Sequence, residues 1–156
     1  MIIFTPNTVI KSSDVNLNFS STIPKYKTIF DEKSASTWSN SSSIYTDITG
    51  WTGGSLTTYG GTVILHIEFT YYRDTSGFNS RFRVRLGSNT YFPSPAGYFN
   101  IYSNEILSHK FVSRTILLTG LNAQSYTVVL QGANVTTGSV NVDTNDYLRM
   151  TAFEIG

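Results

Sequence analysis

An all-β domain, a sandwich or a barrel, is what this sequence predicts, and three observations predict it. Long runs alternate apolar and polar residues with period two and favour β-branched and aromatic side chains, the pattern of half-buried strands. Clusters of Gly, Asn, Asp and Ser break those runs at short intervals, as turns do. Past residue 25 no credible helix can be read. Composition points the same way. Only 13% of the 156 residues are charged, against about 25% in an ordinary domain. Ser, Thr and Asn supply 53 residues, and their short polar side chains compete for the backbone in helices and suit strands and turns.

The elements follow in order. "TVILHIEFTYYRD" places Val63, Leu65, Ile67, Phe69 and Tyr71 on one face and Thr62, Ile64, His66, Glu68, Thr70 and Tyr72 on the other. After the turn "DTSGFNS", "RFRVRL" sends Phe82, Val84 and Leu86 inward and Arg81, Arg83 and Arg85 outward. These two runs read as a hairpin. "HKFVSRTILL" is a strand from about His109 to Leu118; "TGLNAQ" turns, and "SYTVVLQG" runs back with Tyr126, Val128 and Leu130 on one face. "SVNVD" is a short strand and "DTNDY" a turn. The last run, "YLRMTAFEI", carries apolar residues on both faces, which suits a strand at the centre of a sheet that also meets a partner. Between these lie "SASTWSNSSS", the Gly-rich "GWTGGSLTTYGG", and "YFPSPAGYFNIY", where two prolines forbid a central strand.

Length and charge bound the function. One domain with a short extension fits 156 residues. A net charge of +1 gives no electrostatic reason to expect nucleic acid, which normally demands a basic patch or stripe. With no cysteine there is no disulfide, thiolate metal site or Cys nucleophile. No signal peptide and no apolar run of membrane-spanning length is present, so synthesis in a cytosol without membrane insertion is expected.

The opening stretch, "FTPNTVIKSSDVNLNF", is the one place for a helix. Ser12 or Ser13 can cap it, Asp14 suits its first turn, and Val15 and Phe19 share a face at i, i+4. Two turns fall short of the ~12–15 residues that a lone helix needs. Phe4, Val9, Ile10, Val15, Leu17 and Phe19 must therefore be packed on by something. The domain itself, a symmetry mate or another protein could serve.

This stretch resembles a segment common in tailed-phage fibre and appendage proteins, through Ile10, Ser13, Asp14, Val15, Asn16, Leu17, Asn18 and Phe19. The remainder is similar to the tumour-necrosis-factor/C1q-like jelly roll found at the ends of such fibres. The stretches that carry the likeness are "ITGWTGG", the long strand through Phe69, "LTGLNAQSYTVVLQG" and the terminal "LRMTAFEIG". The resemblance implies an antiparallel jelly-roll head over residues 26–156, preceded by an anchor over residues 1–25. It implies a parallel homotrimer with the anchors gathered at the axis, where Asn16 and Asn18 could meet their equivalents and fix register. The role it implies is a non-enzymatic phage virion surface protein, a fibre head or head fibre. The anchor would join other virion proteins of capsid or tail, and the head would bind host surface or glycan. The competing expectations are a capsid decoration or cement protein, a polysaccharide depolymerase and a secreted cytokine-like ligand.

Chemistry is sparse. His66 and Glu68 share a face with no third ligand by spacing, and zinc wants three or four. "DTNDY" lacks the Gly and distal Glu of a calcium loop, so its acids are expected to bond the turn's own backbone. There is no G-x-S-x-G elbow. No catalytic residue, metal or cofactor is expected. The candidate ligand or interface contacts are Trp51, Tyr91, Phe92 and Tyr98 with the ladder Arg81, Arg83 and Arg85. Aromatics offer large contact area at low entropy cost. The ladder reads as a solvated face, an anion or acidic-glycan contact, or the cationic half of a pairing between protomers with Glu68 or Glu154.

Overall fold

The computed structural model describes residues 25–76, 78–93 and 97–155. The expected anchor, with Phe4, Val9, Ile10, Val15, Asn16, Leu17 and Phe19 and its short helix, lies outside them. Among the described residues there is no helix. The strands are β1 (Lys25–Lys33), β2 (Trp38–Asn40), β3 (Thr46–Asp47), β4 (Gly54–Thr57), β5 (Thr62–Arg73), β6 (Phe78–Leu86), β7 (Thr90–Phe92), β8 (Phe99–Ser103), β9 (Lys110–Leu118), β10 (Ser125–Asn134), β11 (Val140–Val142) and β12 (Tyr147–Ile155).

The pairing reduces them to two antiparallel sheets. In the first, β1 and β2 flank β12 and β11, which run along one edge of β5 while β9 takes the other. In the second, β3 and β4 flank β10, β10 pairs β6, and β7 and β8 line the far edge of β6. Each sheet is therefore four ribbons wide, and the chain changes sheet at nearly every connection between one ribbon and the next. That is an eight-ribbon jelly roll.

The expected β5–β6 hairpin is not formed. β5 belongs to the first sheet and β6 to the second, so the turn after Arg73 is a crossing between layers. The physical reason is that both strands carry strictly alternating apolar faces, β5 through Val63–Tyr71 and β6 through Phe82–Leu86. Those faces bury most fully by facing one another. Phe69 and Tyr71 meet Phe82 edge-on, with ring centroids 4.7 and 5.0 Å apart. β9 and β10, expected to run back on one another, are likewise split between the sheets.

Arg73 seals the crossing. Its buried guanidinium donates to Ser80 Oγ, Asn134 Oδ1 and the carbonyls of Thr75, Asn79 and Thr137. In β12 Leu148, Met150 and Ala152 face the core, while Phe153 and Ile155 on the other side stay exposed within this chain, the face left for the expected partner. As expected, the described residues on either side of Pro93 form only the short edge strands β7 and β8.

Candidate functional site

Two of the expected contact residues are core residues. Trp51 is 1% exposed and Phe92 4%. Trp51 is drawn inward by a turn in which its N–H donates to the Ile48 carbonyl, and Phe92 lies on the inward side of β7 opposite Val84. The others come together on the outer face of the second sheet.

Strand alternation sets that face. Along β6, Arg81, Arg83 and Arg85 point away from the core because Phe82, Val84 and Leu86 point into it. Arg83 is paired across to Gln131, whose Oε1 accepts from Arg83 Nε at 2.7 Å. Gln131 Nε2 in turn donates to Asp47 Oδ1 at 2.6 Å, and Asp47 Oδ2 accepts from Arg85 Nη2 at 2.8 Å. Arg85 Nη1 also donates to the Gly87 carbonyl. The Arg83 guanidinium lies against two rings, 4.0 Å from the Tyr45 centroid and 3.8 Å from that of Tyr91. Arg81 lies 4.5 Å from the Tyr98 centroid, with Nε donating to Asn100 Oδ1 at 3.2 Å.

Gln131 and Ala133 lie buried on this side of β10. Burial pushes the Tyr45 phenol above its ordinary pKa, while Arg81 and Arg83 pull it back. Sequence reading missed Tyr45, Asp47, Asn100 and Gln131. Tyr45 and Asp47 stand in a polar stretch with no strong strand signal, Asn100 in the proline-broken aromatic stretch and Gln131 at the end of a run read as a strand, and nothing local shows that any of them meets the arginines.

A second feature lies on the opposite face of the sandwich. One row crosses all four ribbons of the first sheet: Tyr26 opposite Phe153, Phe153 opposite Ile64, Ile64 opposite Leu117. Tyr26, Phe153 and Leu117 are 66%, 38% and 55% exposed. Two rows along, His66 Nε2 lies 3.3 Å from Glu68 Oε1, in an open groove of about 470 Å³ shared with Asp31 and Arg149. Among the described residues no third ligand joins His66 and Glu68 into a metal cluster.

A third feature sits where the β11–β12 turn meets the chain entering β9. His109 Nδ1 lies 2.7 Å from Oδ1 of the buried Asp146, and its Nε2 lies 3.6 Å from Asp143 Oδ2. Donor atoms from these three residues lie within 4.8 Å of one another, a set that could hold a cation. Three of the four carboxylate oxygens are already engaged. Asp146 Oδ2 accepts the Asp143 N–H, Asp143 Oδ1 accepts the Asn145 N–H, and Asp146 Oδ1 faces the imidazole. The acids thus bond their own turn, as the sequence predicts, and the imidazole clamps it.

No protein-family model matches the chain, and no curated protein matches it in sequence. Solved structures do match in shape. VP2 of infectious bursal disease virus, in a subviral particle, superposes over 85% of this chain with a TM-score of 0.54 at 10% identity. The likeness is one of fold. A chain from the structure of infectious bursal disease virus Gx strain gives 0.50 over 86% of this chain, also at 10% identity. The chain spans about a third of the length of these two chains (33% and 32%). PRD1 vertex protein P5 aligns over 82% of this chain and 99% of its own, with a TM-score of 0.45 at 16% identity.

Proposed function

We propose that the chain is a non-enzymatic component of a virus particle, displayed on its surface, whose jelly-roll head recognises the host surface. The observation that carries this reading is the eight-ribbon jelly roll, a fold that it shares with VP2 of a viral particle. Under this reading residues 1–25 join the protein to the particle as the anchor of a homotrimer. That part rests on the likeness of Ile10–Phe19 to phage appendage proteins and on the need of Val15, Leu17 and Phe19 for packing partners. The arginine–tyrosine face is the head's recognition surface. Weak sites become effective adsorption through avidity, three per trimer and many trimers per particle.

The anchor is tested by deleting residues 1–22. The expected result is a folded protein absent from assembled particles. Normal incorporation of the truncated chain contradicts it.

A second reading has its own observation. The apolar row Tyr26–Phe153–Ile64–Leu117 suits a decoration protein that clamps neighbouring shell subunits. Particles stripped of the protein would then lose heat or salt resistance and keep adsorption. Under the recognition reading they lose adsorption.

A further inference from the structure

Two guanidinium groups on the outer face of the second sheet are held in place yet have free ends. Arg83 and Arg81 are each fixed through Nε, by Gln131 and Asn100, and each lies over tyrosine rings, Arg83 over Tyr45 and Tyr91 and Arg81 over Tyr98. Among the described residues, Nη1 and Nη2 of both make no hydrogen bond or ion pair. Both side chains are partly exposed. Arg85 differs, because its terminal nitrogens go to the Gly87 carbonyl and to Asp47. Asp47 therefore balances Arg85 and leaves the other two charges uncompensated.

Order of this kind is unusual for a surface arginine, whose long side chain normally loses rotamer freedom on binding. The ring contacts and the Nε bond have already removed much of that freedom here. The two forks stand two residues apart on one strand, roughly 7 Å, and present donors in the geometry that suits carboxylate or sulfate. The chain's own acids that could meet them across a protomer interface are engaged. Glu154 Oε1 accepts the N–H groups of Tyr59 and Gly61, and Glu68 sits between His66 and Arg149.

We propose that Arg81 and Arg83 form a binding site for acidic saccharide. Carboxylate or sulfate groups are taken by the Nη atoms, and the sugar's apolar faces lie against the tyrosines beside them. The proposal rests on the recognition reading above and names the ligand chemistry of its surface. Phosphate carries the same anionic chemistry, so the test separates the sources.

The test is binding of the full-length chain to immobilised polygalacturonate, dextran sulfate, polyphosphate and neutral dextran, alongside whole host cells. The two acidic saccharides are expected to bind, and rising salt to weaken them. Arg83→Gln should lower that affinity about tenfold, the effect of losing one charge-assisted hydrogen bond. Arg149→Gln removes the same charge from the other sheet and should change nothing. Arg83→Lys keeps the charge but loses the fork, and should fall between wild type and Arg83→Gln. If Arg83→Gln fails to fold, as judged by circular dichroism, Arg81→Gln takes its place. Polyphosphate binding as tightly as dextran sulfate overturns the saccharide assignment, and equal losses in Arg83→Gln and Arg149→Gln overturn the site. Binding to cells but to neither acidic saccharide overturns this proposal and leaves surface recognition standing. Binding to nothing, cells included, overturns both.

Discussion

Arg73 Nη1 donates to Asn134 Oδ1 at 2.9 Å, tying the last residue of β5 in one sheet to the last residue of β10 in the other. Both groups are buried, so neither has water as an alternative partner. Burial lowers the arginine's pKa, and Tyr71 and Asp74 pull it back up. Removing the guanidinium would leave Asn134, Ser80 and several carbonyls with unmet hydrogen bonds. Arg73→Met should therefore cost about 3 kcal/mol despite its similar length. Urea unfolding followed by tryptophan fluorescence checks this, and a loss no larger than that of an exposed substitution such as Arg149→Met would contradict it.

Gly132, two residues before Asn134 on β10, supplies space on which the core beside this tie depends. A Cβ at this position would sit 2.6 Å from Trp38 Cη2 and 3.3 Å from Phe82. Both neighbours belong to the packed core, so they can yield only by straining their own contacts. Gly132→Ala should cost about 1–3 kcal/mol, as overpacking does, and lower the thermal midpoint. An unchanged or raised midpoint would show that Trp38 can shift freely.

The His109–Asp146 contact predicts a clamp rather than a metal centre. Asp146→Ala removes the acceptor for the Asp143 N–H and the partner of His109. It should cost about 2 kcal/mol. Zinc added to the wild-type chain should leave the thermal midpoint where it was. A zinc-dependent rise that vanishes in Asp146→Ala would make the cluster a metal site.

Alkaline pH should destabilise the fold from about pH 10 upward. The phenols of Tyr45, Tyr71 and Tyr72 are all raised above 10.0, chiefly by burial, with Asp143, Asp146 and Asp74 adding to Tyr72. The unfolded chain releases these protons at the ordinary value while the folded chain still holds them. Their contribution is therefore complete below that pH and is lost as pH rises through the raised folded values. The urea midpoint should fall over this range, and Tyr72→Phe should reduce the fall. A midpoint that stays flat to pH 11 would contradict the assignment.

Period-two alternation made the inner faces of β5 and β6 legible in the sequence, down to Val63, Leu65, Ile67, Phe69, Tyr71, Phe82, Val84 and Leu86. That pattern depends only on local backbone geometry, so it survives reading without a structure. Partner choice does not. A hairpin and a crossing between sheets have the same alternation, and only non-local packing decides between them. The short strands β2, β3 and β4 were hidden because runs of two to four residues hold too little pattern to detect. Trp51 and Phe92 looked available because they lie among Gly and Pro, yet such turns also fold aromatic rings inward. Of the candidate face, the arginines and two of the tyrosines could be named from sequence. The groups that hold them could not, since Arg83 and Gln131 are 48 residues apart. His109 and Asp146, 37 apart, were out of reach for the same reason.

Competition for adsorption tests the recognition reading most directly. Purified full-length chain is mixed with host cells before the virus particles are added. Wild-type protein should block adsorption, while a chain carrying both Arg81→Gln and Arg83→Gln, equally well folded, should not. If both proteins block alike, or if neither does, the arginine–tyrosine face is not the surface by which this head meets a cell.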